Sequence, residues 1–336
     1  MNKTNLSAYM AMTVSQLKEE QRMGTAHVYQ STLNRIKDFM EQDSISFEEV
    51  TPVWLKAFQE YLLERQLHWN TISTYMRMLR ATYFRAVDDG LAPYQPRLFK
   101  GVYTGTKVTV KRAVDEDVFR QLNAPVADES LEFTRLLFLL LFMLRGMPFV
   151  DIAFLRHCDL HGNVIVYRRK KTGAWLTVRV EAEAMKIIRN LRNTDKTSPY
   201  LFPLIHHPGK DEYRQYQNAL RSFNYHLKKL GECIKGVAGL TSYTARHSWA
   251  TIANYRNYQQ ELISNAMGHS SVKVTETYFR RHSDDKIWDM NKEIVSYIFD
   301  KDSDCLSLNR PMQPYSSCQL TSRNAVLHFL CLNWPS

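Results

Sequence analysis

Five residues in the carboxyl-terminal part of the chain are of types that handle anions and protons. Arg145 closes a long apolar stretch, Lys171 sits in a Lys-Thr-Gly turn, Arg246 lies within Thr-Ala-Arg-His-Ser, and His269 comes nine residues before Tyr278. Guanidiniums grip phosphate by paired hydrogen bonds, lysine and imidazole move protons, and a tyrosine hydroxyl can act as a nucleophile. Each residue also has an ordinary reading. An arginine at a buried helix end caps carbonyls or pairs with aspartate, a turn lysine is solvated, and Gly-His-Ser opens many helices.

The apolar pattern says which elements must position them. From Leu17 to Val87 apolar residues recur at helical spacing, as in Tyr29, Leu33, Ile36, Phe39 and Met40, then Trp54, Leu55, Phe58, Tyr61 and Leu62, which predicts a helical domain over 1–90. Its last helix, Asn70 to Asp88, sets Thr71, Thr74, Arg77 and Arg80 beside Ile72, Tyr75, Met76, Leu79 and Tyr83. That leaves a polar, basic face suited to a phosphate backbone or, equally, to water. Residues 91–112, with Pro93, Pro96, Gly101, Gly105 and several cations, read as a basic linker. A second domain spans 113–299. Asp115 caps a helix through Leu122, a buried helix runs from Leu131 to Leu144, and Val164, Val166, Leu176, Val178 and Val180 flank the Lys171-Thr172-Gly173 turn as a hairpin. Helices then dominate to Phe299. Residues 300–336 carry three of the five cysteines and no helical period, and read as a flexible tail.

Bulk properties agree with two domains and a tail, given 336 residues. The excess of 44 Lys and Arg over 34 Asp and Glu gives +10 at neutral pH, which suits a polyanion without saying where the charge clusters. The cysteines are odd in number and form no Cys-x-x-Cys pair, so a zinc or redox site is not expected and a reducing cytoplasm is the simplest home. Met1 to Met12 has no secretion-signal pattern. The longest apolar run, Leu136 to Leu144 between Arg135 and Arg145, falls short of the ~20 residues that span a bilayer.

The order Arg, Lys, Arg, His, Tyr resembles the catalytic domain of the tyrosine recombinase, or phage integrase, family. Ile263-Ser264-Asn265-Ala266-Met267-Gly268-His269-Ser270-Ser271 with Thr275 and Tyr278 is similar to the family's closing motif. The stretch Thr241 to Thr251, TSYTARHSWAT, is similar to its second-arginine motif, and Tyr200-Leu201-Phe202-Pro203 to a phrase between the two. Two positions depart from the pattern. Tyr243 stands where the family usually has His, and Asp151 follows Arg145 by six residues where an acid usually follows by three. A phenol of pKa about 10 is a poor base at neutral pH, though it still donates a hydrogen bond.

The resemblance implies a mainly α fold with a small β-sheet: a helical, core-binding, SAM-like amino-terminal domain and a mixed α/β catalytic domain. It implies that Arg145 and Arg246 clamp the scissile phosphate, where attack builds negative charge, and that Lys171 protonates the departing 5′ oxygen. His269 then hydrogen-bonds the phosphate, Tyr243 assists, and Tyr278 forms a 3′-phosphotyrosyl link. Such a link conserves bond energy, so no cofactor or metal is expected. Adjacent helical residues point about 100° apart, so His247 is read as structural beside Arg246. The partner implied is double-stranded DNA, touched by Asn70, Thr71, Thr74, Arg77 and Arg80, with a tetramer on paired sites. Ile287, Trp288, Ile294, Val295, Tyr297 and Ile298 would form a helix that docks on a neighbouring subunit or on its own domain. Integration, excision and inversion share this chemistry, as do mobile elements and chromosomal switches. The helical pattern begins near Met1, so no arm-binding domain is expected. A type IB topoisomerase-like enzyme and a non-catalytic accessory DNA-binding protein are the alternatives, the second supported by Tyr243.

Overall fold

The computed structural model describes residues 5–299 apart from 110, 235, 236, 238, 270 and 281–283. Within it the chain is mainly helical, with one small three-stranded sheet, as the sequence predicts. Four helices come first: α1 (Leu6–Glu19), α2 (Met23–Met40), α3 (Pro52–Glu64) and α4 (Trp69–Asp88). Local chemistry starts two of them. The Asn5 side chain accepts from the Ala8 amide at 2.8 Å, and Thr51 caps the Trp54 amide just before Pro52, a residue whose fixed φ suits a first helical turn. Their apolar stripes meet in a core that includes Leu6, Tyr9, Ile36, Leu55, Phe58, Ile72, Met76, Leu79 and Tyr83.

Leu98, Phe99 and Val102 belong to the same core, so the first half of the stretch read as a linker is packed chain. Composition hid this, because three apolar residues scattered among prolines and cations carry no period. The stretch then follows α4. Tyr103 donates its amide to Gln59 Oε1 at 2.7 Å, Ser73 Oγ donates to the Gly105 carbonyl at 2.6 Å, and the Asn70 amide bonds both the carbonyl and the N–H of Lys107 at 2.8 and 2.7 Å. Lys107 Nζ also lies 4.4 Å above the Trp69 ring.

The following elements are α5 (Glu116–Gln121), α6 (Glu129–Met143), α7 (Phe149–Ala153), a 3-10 turn (His157–Asp159), β1 (Leu160–His161), β2 (Val164–Arg168), β3 (Trp175–Arg179), α8 (Ala182–Leu191), α9 (Glu212–Glu232), α10 (Thr244–Tyr255), α11 (Gln260–Ala266) and α12 (Val272–Glu276). The buried α6 forms the axis of a second core, packing against α8, α9 and α10. The sheet is antiparallel in the order β1-β2-β3, with Ile165 opposite Val178 and Tyr167 opposite Leu176. The buried positions of β2 are Ile165 and Tyr167 rather than Val164 and Val166. Val-Ile-Val-Tyr is apolar at every position, so alternation alone cannot phase it. Tyr200, Leu201 and Phe202 are core residues, tied by the Leu201 amide to the Leu155 carbonyl at 2.8 Å. Asp115 stands at the N-cap of α5 but makes no capping hydrogen bond, because its carboxylate pairs with Arg280.

Beyond Arg280 a separate unit begins, containing α13 (Asp284–Phe299). This is the helix that the apolar spacing after Tyr278 predicts, with Trp288, Met290 and Ile294 exposed. The predicted tail, 300–336, lies outside the described residues. No helix among the described residues is long and apolar enough to cross a membrane.

Candidate active site

Arg246, in the first turns of α10, is the most enclosed of the candidate residues, at 3% exposure. Three acceptors hold its guanidinium. Nη1 donates to the Gly146 carbonyl at 2.7 Å, and Nη2 donates to the Met267 carbonyl and to His269 Nε2, each at 2.8 Å. Nε has no partner. Burial is the chief influence on its pKa and pulls it below the ordinary value, with the Tyr278 hydroxyl pulling the other way. The seat depends on Gly146. Its φ is +65°, and a Cβ there would lie 2.7 Å from the Arg246 Cα, so only glycine allows this approach. Arg145 just before it also has positive φ, at +60°. The longer spacing between Arg145 and Asp151 thus has a physical content: Gly146-Met147-Pro148 turns the chain beneath Arg246 before α7 begins.

Because Arg246 donates to His269 Nε2, that nitrogen carries no proton. The proton sits on Nδ1, which donates to Thr275 Oγ1 at 2.8 Å. Burial, then the charges of Arg246, Arg169 and Lys171, push the His269 pKa down to about 4. The His269 ring stacks on that of Tyr278, centroids 5.2 Å apart and planes 17° from parallel. The Arg246 guanidinium lies 5.4 Å from the centre of the Tyr278 ring. His247 also reaches this tyrosine, at a different atom. Its Nδ1 lies 3.3 Å from the Tyr278 carbonyl, which accepts from Thr251 Oγ1 at 3.2 Å. The His247 ring also packs against the Tyr278 ring, centroids 4.8 Å apart, so His247 meets both the ring and the backbone of the residue that Arg246 approaches.

The β2–β3 hairpin supplies the lysine. Lys170 turns its Nζ onto the Phe154 ring at 4.3 Å, away from the cluster, whereas Lys171 is near enough to His269 to lower its pKa. The same hairpin brings in Arg169, which the motifs did not reveal, against the displaced acid Asp151. Arg169, 6% exposed, reaches the Gly268 carbonyl through Nη1 at 2.5 Å and faces Asp151 at 3.6 Å. Asp151 accepts from the Lys170 amide at 2.9 Å, and its burial outweighs these partners and raises its pKa. Gly268, φ +65°, allows the crossing, since a Cβ there would meet Leu176 Cδ1 at 2.9 Å and Arg169 Cδ at 3.0 Å.

Arg145 is half-buried and donates through Nη2 to the Thr177 carbonyl of β3 at 2.7 Å. It shares the surroundings of the Tyr167 hydroxyl with Arg169 and Arg246, all three opposing the upward push of burial on that phenol. Tyr243, at the N-cap of α10, is 48% exposed. Desolvation first, then the Tyr278 hydroxyl, raises its pKa. It therefore stays protonated at neutral pH, where it can give a hydrogen bond but is a poor base. The five α4 residues form a separate surface. Asn70 is committed to Lys107, Thr74 Oγ1 donates back to the Asn70 carbonyl at 2.7 Å, and Arg77 Nε reaches the Ser73 carbonyl at 3.4 Å. Arg80 stands 5.9 Å from the centre of the Phe84 ring, and Thr71 lines a shallow hollow against His27, Val28 and Ser31 of α2. Among the described residues no group of three or more His, Cys, Asp or Glu could hold a metal.

The site thus gathers cationic donors around one tyrosine ring, an arrangement that can hold a tetrahedral anion against a nucleophile. Comparison with known proteins agrees with this class of fold. Residues 112–285 match the model of the phage integrase family, and residues 5–101 that of the phage integrase SAM-like domain. The chain belongs to the phage integrase, or tyrosine recombinase, family and carries a SAM-like amino-terminal domain. The Tn1549 transposon integrase, solved in complex with transposon right end DNA, is similar in fold, with TM-score 0.61 and 14% identity over 87% of this chain and 99% of that one. A lambda integrase dimer bound to a COC′ core site gives 0.60 and 12%, over 81% and 94%. A lambda integrase tetramer bound to a Holliday junction gives 0.59 and 12%, over 84% and 80%. No curated protein matches the sequence.

Proposed function

We propose that this protein is a site-specific DNA recombinase that cleaves and rejoins double-stranded DNA through a 3′-phosphotyrosyl intermediate on Tyr278. The observation that carries the reading is the contact set at Tyr278: ring stacked on His269, guanidinium of Arg246 5.4 Å from the ring centre, backbone carbonyl held from α10. A tyrosine fixed at both ends beside cationic donors suits attack on a phosphodiester and has little use in a protein that only binds DNA.

In the proposed reaction the Tyr278 oxygen bonds to phosphorus and loses its proton to solvent, while the bond to the 5′ oxygen breaks and Lys171 gives that oxygen a proton. Arg145 and Arg246 hold the non-bridging oxygens as charge builds on them, Tyr243 adds a hydrogen bond, and neutral His269, its one N–H given to Thr275, accepts from Arg246 and holds that guanidinium in place. The reverse attack by a 5′ hydroxyl of another strand completes exchange. Bond energy is conserved in the protein link, so the chemistry needs neither metal nor nucleotide cofactor. The α4 surface supplies duplex contacts, and the enzyme acts as a tetramer on paired sites in the cytoplasm. The lambda integrase tetramer on a Holliday junction supports the assembly by likeness of fold.

The test is a nicked suicide substrate, drawn from DNA flanking the gene and incubated without added metal. Wild type gives a covalent protein–DNA adduct and Tyr278→Phe gives none. An adduct that survives Tyr278→Phe, or no adduct on a site that wild type binds tightly, would sink the reading, and the second result would favour an accessory DNA-binding role.

A further inference from the structure

The segment 111–115, between the amino-terminal helices and α5, touches the nucleophile's own stretch of backbone at two points. Lys111 Nζ donates to the Thr277 carbonyl at 2.5 Å, the residue before Tyr278. Asp115 pairs with the Arg280 guanidinium, two residues after Tyr278, at 2.5 Å. Between these two points the Val114 amide donates to Ser248 Oγ of α10 at 2.9 Å. From the other side α10 supplies His247 and Thr251 to the Tyr278 carbonyl, and Tyr255 Oη to the Arg280 carbonyl at 3.4 Å. The carbonyls of Thr277, Tyr278 and Arg280 are thus each held by a side chain from another part of the chain. None of these hydrogen bonds involves the Tyr278 hydroxyl.

We infer that Lys111 and Asp115 are positioning residues that fix Tyr278 for attack, with the 111–115 segment acting as a strap across its flanks. The inference rests on the reading of Tyr278 as nucleophile. A tyrosine that gains freedom around its backbone loses near-attack geometry without losing affinity for DNA, so the effect belongs in the rate of the covalent step and not in binding.

The experiment measures single-turnover adduct formation on the nicked substrate, with DNA affinity measured separately over a range of salt, for Lys111→Met, Asp115→Arg, Arg280→Asp and the Asp115→Arg/Arg280→Asp double variant. Lys111→Met is expected to slow adduct formation roughly tenfold, the loss that follows from a slightly misplaced nucleophile, with affinity and its salt dependence unchanged. The two single charge variants should slow it too, and the double variant should recover most of the rate. A wild type that forms no adduct would defeat the proposed function itself. A wild type that forms adduct while all the variants match its rate would defeat the strap alone. A salt slope reduced by about one unit in Lys111→Met would identify that lysine as a phosphate contact and overturn its assignment here. A double variant slower than both singles would overturn that of Asp115.

Discussion

The two arginines assigned to the scissile phosphate live in opposite environments. Arg246 is enclosed, its guanidinium held by two carbonyls and an imidazole, and the backbone beneath it is shaped by a left-handed glycine. Arg145 is half-buried at the edge of the hairpin, with a single bond to the Thr177 carbonyl. The difference separates two tasks. Arg246 is part of the structure as well as of the site, so its position is set by the fold, whereas under the proposed function Arg145 and the exposed Lys171 complete their hydrogen bonding on the phosphate.

Breaking the enclosed half should have the largest effect. Arg246→Ala leaves the Gly146 and Met267 carbonyls unpaired in a buried place, and is expected to cost about 2–4 kcal/mol of stability together with at least ~10³-fold in adduct formation. Denaturant unfolding and single-turnover cleavage read the two losses, and a variant as stable as wild type would show that Arg246 holds nothing together. Arg145→Ala should sharpen the contrast, with stability within about 1 kcal/mol of wild type and cleavage down by ~10²-fold. Gly146→Ala puts a methyl against the Arg246 backbone at a left-handed position and should cost about 2–3 kcal/mol, so equal unfolding midpoints would rule out the proposed seat. A smaller change is expected at the rim. Tyr243→Phe removes one donor and should slow cleavage by roughly threefold to tenfold, while Tyr243→His introduces a group that titrates near pH 6.5 and should add a limb to the pH–rate profile.

Acid tests the enclosed half without changing the cluster's geometry beforehand. His269 has a folded pKa of about 4 against about 6.5 in the unfolded chain. Between those values the unfolded state binds more protons, so stability must fall as pH drops from about 6.5 toward 4, and level off for this group below that. His269→Asn should flatten that window in a series of denaturant melts. An unchanged slope would mean that the imidazole is not held neutral by Arg246.

Arg246, His269 and Tyr278 were legible in the sequence because each sits in a short phrase whose neighbours do related work. Ser248 and Thr251 flank Arg246 in sequence and anchor the backbone at Val114 and Tyr278, and Thr275 fixes the His269 tautomer. Arg169 and Lys111 were not legible, since their partners are backbone carbonyls 99 and 166 positions away, and a carbonyl leaves no mark in a residue string. The displaced acid Asp151 showed as a spacing anomaly, whose cause, a turn under Arg246, is a matter of backbone conformation. The same limit applies to Asn70. Its type and helix face suit DNA, but its amide is bonded to Lys107, a partner that helical periodicity cannot register. Choosing between Lys170 and Lys171 likewise required knowing where Phe154 lies.

The three acceptors around Arg246 have a consequence for how substrate is held. They take three of the five N–H donors of the guanidinium, and Nε–H has no hydrogen-bond partner. Under the proposed reaction the protein therefore fixes the plane of the guanidinium with some of its donors and leaves others to a non-bridging oxygen, so the charge that builds there meets a group that needs no reorientation. The arginine is aimed by the fold and not by its substrate.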